Sequence, residues 1–235
     1  GAISYDSETQ GFTKRYTHVV YGLGYVVTEE ELEDNQYEIV SRKRIKRLSF
    51  SMRQTKEIVS ANVLNRATTS GYTGGDGVVL LSTSHTSTNG NWSNTLSTAA
   101  DLSEASLEDM CIQIGQATND RGLQIAIRPT KLIIPINLMF DAKRILKSDY
   151  QSGTANNDIN ALKGMFDFTV NHYLTDTDAW FLKTDAPNGM TMFDRRALSF
   201  STDNDHDTGN AKAKSTMRFS VGWSDPRGLF GSVGA

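Results

Sequence analysis

The sequence predicts an α+β fold organised on one very long helix. Residues 28–67 contain neither proline nor glycine, and Val40, Leu48, Met52, Thr55, Val59 and Val63 recur there at helical spacing. Short runs rich in β-branched and aromatic residues are scattered along the rest of the chain. The first 27 residues are polar, punctuated by Gly11, Gly22 and Gly24, and carry no cluster able to form a core.

That N-terminal stretch is expected to be an extended, hairpin-like arm with strands at Lys14–Tyr21 and Tyr25–Val27. Alternation puts Tyr16, His18 and Val20 on one face and Thr17, Val19 and Tyr21 on the other. Large groups on both faces suit a strand that touches other chains on both sides. Thr28-Glu29-Glu30-Glu31 then reads as a capping box, and three glutamates in a first turn suit the positive end of a helix dipole. The helix is expected over Gln36–Arg66, about 45 Å at 1.5 Å per residue.

A glycine-rich loop, Ser70–Gly77, ends it. A short strand at Val78–Leu81 and a polar loop over Ser82–Ala100 follow. Ser103 is placed to cap the next helix, with Leu102 and Leu107 as a hydrophobic staple and Leu107, Met110, Cys111 and Ile114 as its apolar stripe. Strands are expected at Gln124–Arg128 and Lys131–Ile134, then a short helix capped by Asn137 and running to about Ser148. Phe168–Leu174 and Ala179–Lys183 bracket a polar turn and read as a hairpin. Further strands fit Met190–Phe193, Leu198–Ser201 and Thr216–Trp223, and Asp203–Asn210 reads as a surface loop.

Composition narrows the function classes. The chain has 235 residues, 38% of them hydrophobic and 22% charged, so it can bury a core and is not of the disordered type. No apolar run reaches the roughly 20 residues of a membrane helix. The opening GAISYDSETQ has no secretory pattern and no initiator Met, so the chain is expected to begin at a processing site or mid-protein. The lone Cys111 excludes an internal disulfide framework. A net charge of −3 makes any nucleic-acid contact a local matter.

Motifs for chemistry are weak. Asp203, Asp205 and Asp207 alternate like a calcium loop, but the glycine falls one place late and Lys214 stands where a bidentate glutamate is required. SGYTGGDG lacks the Gly-Lys-Ser/Thr ending of a phosphate loop and precedes a strand. His18, His85, His172 and His206 are far apart without ligand or triad spacing, and no Gly-x-Ser-x-Gly elbow occurs. Trp180, Phe181, Phe166, Phe168, Tyr173 and Phe193 read as core packing. Arg42, Lys43, Arg44, Lys46 and Arg47 put five cations into six residues, spread around the helix. They suit either an intersubunit salt-bridging surface or contact with DNA phosphates.

The order of these parts resembles the major capsid proteins of tailed bacteriophages, whose Hong Kong 97-like fold is shared by encapsulins. The matching stretches are the Thr28–Asn35 lead into Gln36–Arg66, then Leu102–Gly122, IAIRPTKLIIPINLMFDAKRIL at 125–146 and MRFSVGWSDPRGLFG at 217–231. The resemblance implies an extended N-terminal loop, a long spine helix, and peripheral and axial domains. On it, residues 1–32 are an arm remnant and extended loop, 33–100 the peripheral domain with the spine helix, 101–190 the axial domain, and 191–235 return strands. It implies a non-enzymatic, self-assembling shell subunit forming hexamers and pentamers around double-stranded DNA held non-specifically. No cofactor or metal and no membrane contact are expected. Tyr16, His18, Val20 and Tyr21 would then belong to the intersubunit extended loop. Portal, scaffold or protease and decoration proteins are implied partners, in a virion assembled in the host cytoplasm. An encapsulin-like nanocompartment is the alternative within the same fold, and a hydrolase the alternative outside it.

Overall fold

A computed structural model describes residue 3 and residues 10–34, 37–151 and 158–235, with residues 37–42 described through their backbone. Its elements, in chain order, begin with β1 (Val19–Val27), α1 (Glu29–Glu33), α2 (Tyr37–Asn65), β2 (His85–Ser87), β3 (Gly90–Trp92) and α3 (Glu104–Gly115). They continue with β4 (Pro129–Ile134), α4 (Met139–Lys147), β5 (Asp167–Val170), β6 (Trp180–Thr184), β7 (Met190–Asn204), β8 (Ala211–Trp223) and β9 (Leu229–Ser232).

The strands form a three-stranded sheet ordered β1-β8-β7, a four-stranded sheet ordered β5-β4-β6-β9, and the small β2-β3 hairpin. Strand β8 is central to the first sheet and obeys a period of two. Ala213, Ser215, Met217 and Phe219 are buried on one face, while Lys212 and Lys214 stand exposed on the other. Helix α2 lies across the buried face. Met52 joins Met217 and Phe219 in an apolar cluster that Tyr21, Val59 and Val221 complete. Tyr21 stacks on Phe219 with ring centroids 4.9 Å apart.

A larger core fills the space between the four-stranded sheet and helices α3 and α4. It holds Leu107, Met110 and Ile114 of α3, Leu132 and Ile134 of β4, Leu146 of α4, and Trp180 and Leu182 of β6. The two regions meet at a third cluster. There Leu64 and Ala67 at the end of α2 pack with Leu80, Leu81, Phe181, Trp223 and Leu229. This cluster is the apolar link between the sheets.

The structure corrects several sequence expectations. The N-terminal arm is not a hairpin: β1 is a single strand paired antiparallel along its length with β8, from Val19 opposite Phe219 to Val27 opposite Ala211. No strand covers 78–81: Leu80 and Leu81 turn inward into the linking cluster, and Val79 makes only an isolated bridge with Thr73. Residues 124–128 are also not a strand, since Ala126 takes φ 51 and breaks the extended run. Asn137 caps nothing. It sits inside a 3₁₀ turn, Ile136–Leu138, and α4 starts at Met139 without a side-chain cap. The expected hairpin of β5 and β6 is absent because β4 lies between them, parallel to β5 and antiparallel to β6. The two strands foreseen at 190–193 and 198–201 are one 15-residue strand, with register shifts between Asp194 and Ser199 that absorb the Asp-Arg-Arg-Ala stretch.

The side chains of α2 that face the sheet decide the first prediction. Leu48 and Met52 are 5% and 2% exposed. Leu48→Ala and Met52→Ala each are expected to cost about 2–5 kcal/mol in denaturant unfolding, whereas Phe50→Ala on the opposite face should cost little. Equal losses from all three would refute this orientation of the helix.

Candidate assembly surfaces

Among the described residues no group of three or more His, Cys, Asp or Glu side chains is arranged to hold a metal ion. Three surfaces of the described chain are arranged to meet another molecule.

The N-terminal segment is the first. Strand β1, Val-Val-Tyr-Gly-Leu-Gly-Tyr-Val-Val, has no charged residue and lies at the edge of its sheet. Val19, Val20, Leu23 and Val26 are each about half exposed, from 48% to 54%. Edge strands are ordinarily protected by charge, proline or a covering element. This one is bare.

The structure places Tyr16, His18 and Tyr21 against the chain's own sheet. Tyr16 meets Phe193 edge-on at 4.9 Å, and its hydroxyl is 2.8 Å from Ser224 Oγ. A Cβ on Gly222 would come within 3.0 Å of the Tyr16 ring, so glycine there admits the tyrosine. His18 Nδ1 lies 3.1 Å from Ser220 Oγ. The foreseen alternation fails between His18 and Tyr21. Pairing begins only at Val19, so the half-buried residues are Tyr16 and His18 and then Tyr21, with Val20 turned outward.

The second surface is α2. Arg44 is committed within the chain: its two terminal nitrogens grip Glu31 at 2.8 and 3.0 Å, and one also donates to the Val26 carbonyl. The hydrogen bond from Arg44 holds the Glu31 carboxyl below its ordinary range, aided by the guanidinium charge and the Thr28 backbone N–H. Thr28 caps α1 as foreseen, its hydroxyl accepting from the Glu31 N–H, while the Glu31 carboxylate is held chiefly by Arg44. Lys43, Lys46 and Arg47 are exposed and form no ion pair with a described residue. Of Arg42 only the backbone is described. With Phe50 and Arg53 the three free cations recur every three or four residues, so they share one outer face, where the sequence alone had scattered them.

The third is the acidic end of the first sheet. The β7–β8 turn and α1 touch, with the Glu29 N–H donating to Asn210 Oδ1 at 3.2 Å. Asp205 pairs with Lys212, and the hydrogen bond from that ammonium lowers its carboxyl's pKa. The exposed Glu29, Glu30, Glu33, Asp34, Asp203 and Asp207 share this end.

Sequence reading missed one buried polar hub. Asn94 donates through its side chain to the carbonyls of Leu80, Pro226 and Leu229, which turns its Oδ1 toward Ser82 N–H and His85 Nε2. His85 is fully buried, stacked on Trp92 at 4.7 Å, and its Nδ1 lies 2.7 Å from Asp76 Oδ2. The glycine-rich loop is thus a structural clamp, with Asp76 gripping the β2-β3 hairpin. The available signal was the Asn89-Gly90 pair inside what read as a polar loop, where Thr88 and Asn89 turn the chain and Gly90 opens β3 opposite Ser87.

A model of the phage capsid protein family matches residues 11–231. The chain therefore belongs to that family: it is a capsid shell protein, structural and not enzymatic. Solved structures carry the same fold at low identity. The capsid of the Myoviridae phage XM1 superposes with a TM-score of 0.59 at 11% identity, covering 94% of this chain and 74% of that one. Mycobacterium phage Patience gives 0.55 at 12%, covering 98% and 76%. The holo-SrpI encapsulin of Synechococcus elongatus gives 0.51 at 10%, covering 93% and 74%. Among curated protein sequences none matches.

The Asn94 hub and the half-buried Cys111 can each be tested. Asn94→Ala leaves three carbonyls and a histidine without their partner, and should lower unfolding stability by about 1–3 kcal/mol or more. Retention of wild-type stability would show that the hub is dispensable. Burial, with the nearby Glu108 charge, pushes the Cys111 thiol up to about 11. Alkylation of the native chain near pH 7.5 should therefore run roughly a hundredfold slower than in denaturant. Comparable rates would place the thiol in water.

Proposed function

We propose that this chain is the major capsid subunit of a tailed phage, tiling a closed icosahedral head of hexamers and pentamers around double-stranded DNA. The observation that carries the reading is the family match, which spans the chain from the N-terminal arm to the last strand. The surfaces agree with it. An uncharged edge strand and a row of half-exposed valines and leucine are costly on an isolated subunit and stabilising where a neighbour covers them.

In this reading residues 1–32 are arm and extended loop, with Val20 turned toward neighbours while Tyr16, His18 and Tyr21 anchor the arm to its own sheet. Residues 33–100 form the peripheral domain with α2 as its spine, 101–190 the axial domain, and 191–235 the return strands. DNA is met non-specifically, and the chain's net charge of −3 limits adsorption to the wall. Portal, scaffold or protease and decoration proteins complete a virion assembled in the host cytoplasm. The likeness to an encapsulin supports a shared fold and makes a cargo-filled nanocompartment the competing reading.

Electron microscopy of the purified protein tests both. Closed shells enclosing DNA are expected when it is produced with its packaging partners. Shells that enclose a cargo protein and exclude DNA would favour the nanocompartment. Monomers at high concentration would defeat the shell reading altogether.

A further inference from the structure

The outer face of α2 is charged, and no described residue of its own chain answers that charge. Lys43, Lys46, Arg47 and Arg53 surround Phe50, which is 60% exposed, and none of these cations forms an ion pair with a described residue. Leu48 and Met52, on the opposite side, hold the helix to the sheet, so this face cannot turn inward. The acidic end of the same subunit, α1 with the β7–β8 turn, is equally short of cations. Glu31 is taken by Arg44 and Asp205 by Lys212, while the surrounding carboxylates pair with no described residue.

We infer that these two surfaces bind each other between copies: the acidic end of one subunit docks on the cationic face of α2 in the next. The inference rests on the shell reading and specifies one of its contacts. A patch that meets a different patch on an identical neighbour makes a heterologous contact, which builds a ring when the rotation closes. Phe50 sets the choice between carboxylate and phosphate. A large apolar side chain at the centre of a cationic ring matches the anatomy of a protein interface, with an apolar anchor and a charged rim. A wall that meets DNA backbone gains nothing from it. Complementary charge also fixes which neighbour docks and rejects like-to-like pairing. Because the charges are exposed in the free subunit, each can be reversed without disturbing the core.

The test is a charge swap in the full chain, read by electron microscopy and sedimentation. Lys43→Glu with Arg47→Glu, and separately Glu30→Lys with Asp207→Lys, are expected to cut shell yield by about tenfold or more. Circular dichroism should show both variants folded. The chain carrying all four substitutions should recover shells, because the attraction is restored with its sign exchanged. Raised salt should weaken wild-type assembly in the same direction. Normal shells from the Lys43/Arg47 variant overturn the contact, and normal shells that lose only their DNA assign the stripe to phosphate instead. Failure of the fourfold variant to recover also overturns it. If the wild-type chain forms no shells, the shell reading fails. Salt-dependent self-association in sedimentation then decides the contact: its loss in the reversed variants upholds the pairing, and its persistence overturns it.

Discussion

Strand β8 carries the constraint on which the rest of the structure depends. It lends both edges to neighbours, β1 and β7, and buries one whole face under α2. Its last residue, Trp223, enters the cluster that joins the first sheet to the second. A one-residue slip of β8 would turn Met217 and Phe219 to solvent and expel Trp223 from that junction. The register of the sheet, the seat of the long helix and the link between the two layers therefore stand or fall together.

This economy explains where order comes from in a subunit with so much exposed apolar surface. The four-stranded sheet has a conventional core, with Leu132, Ile134, Trp180 and Leu182 wholly buried between helices. Among the described residues the three-stranded sheet is covered by one long helix. Its other face and its β1 edge present exposed Val20, Leu23 and Val26 beside Lys212 and Lys214. An isolated protein of this shape wastes burial, while a shell subunit reserves it for its neighbours. Membership in the phage capsid family gives that surplus its meaning.

The polar interior follows the opposite logic. Asn94 gathers loop, hairpin and C-terminal strand by satisfying backbone groups that have no sheet partner, and His85 with Asp76 ties in the glycine-rich loop. Irregular backbone can be buried only where side chains supply such bonds. Residues that might suggest catalysis are thus accounted for as joints of the fold, in keeping with a protein whose role is mechanical.

The sequence by itself determined what depends on neighbours in the chain. The long helix announced itself through forty residues free of glycine and proline, and Thr28 and Ser103 marked helix starts because capping is a three-residue interaction. The buried α3 stripe of Leu107, Met110 and Ile114 was legible for the same reason. What joins distant residues was decided only in three dimensions. β4 enters between β5 and β6, β1 pairs with a strand nearly two hundred residues away, and Leu80 and Leu81 trade a strand for a cluster. The cation cluster shows the division within one element. Composition placed Arg44 among its neighbours, but only the approach of Glu31 and Val26 withdrew it and left Lys43, Lys46 and Arg47 facing out. Local patterns record each residue's own preference, whereas partner choice depends on long-range contacts that no window of sequence contains.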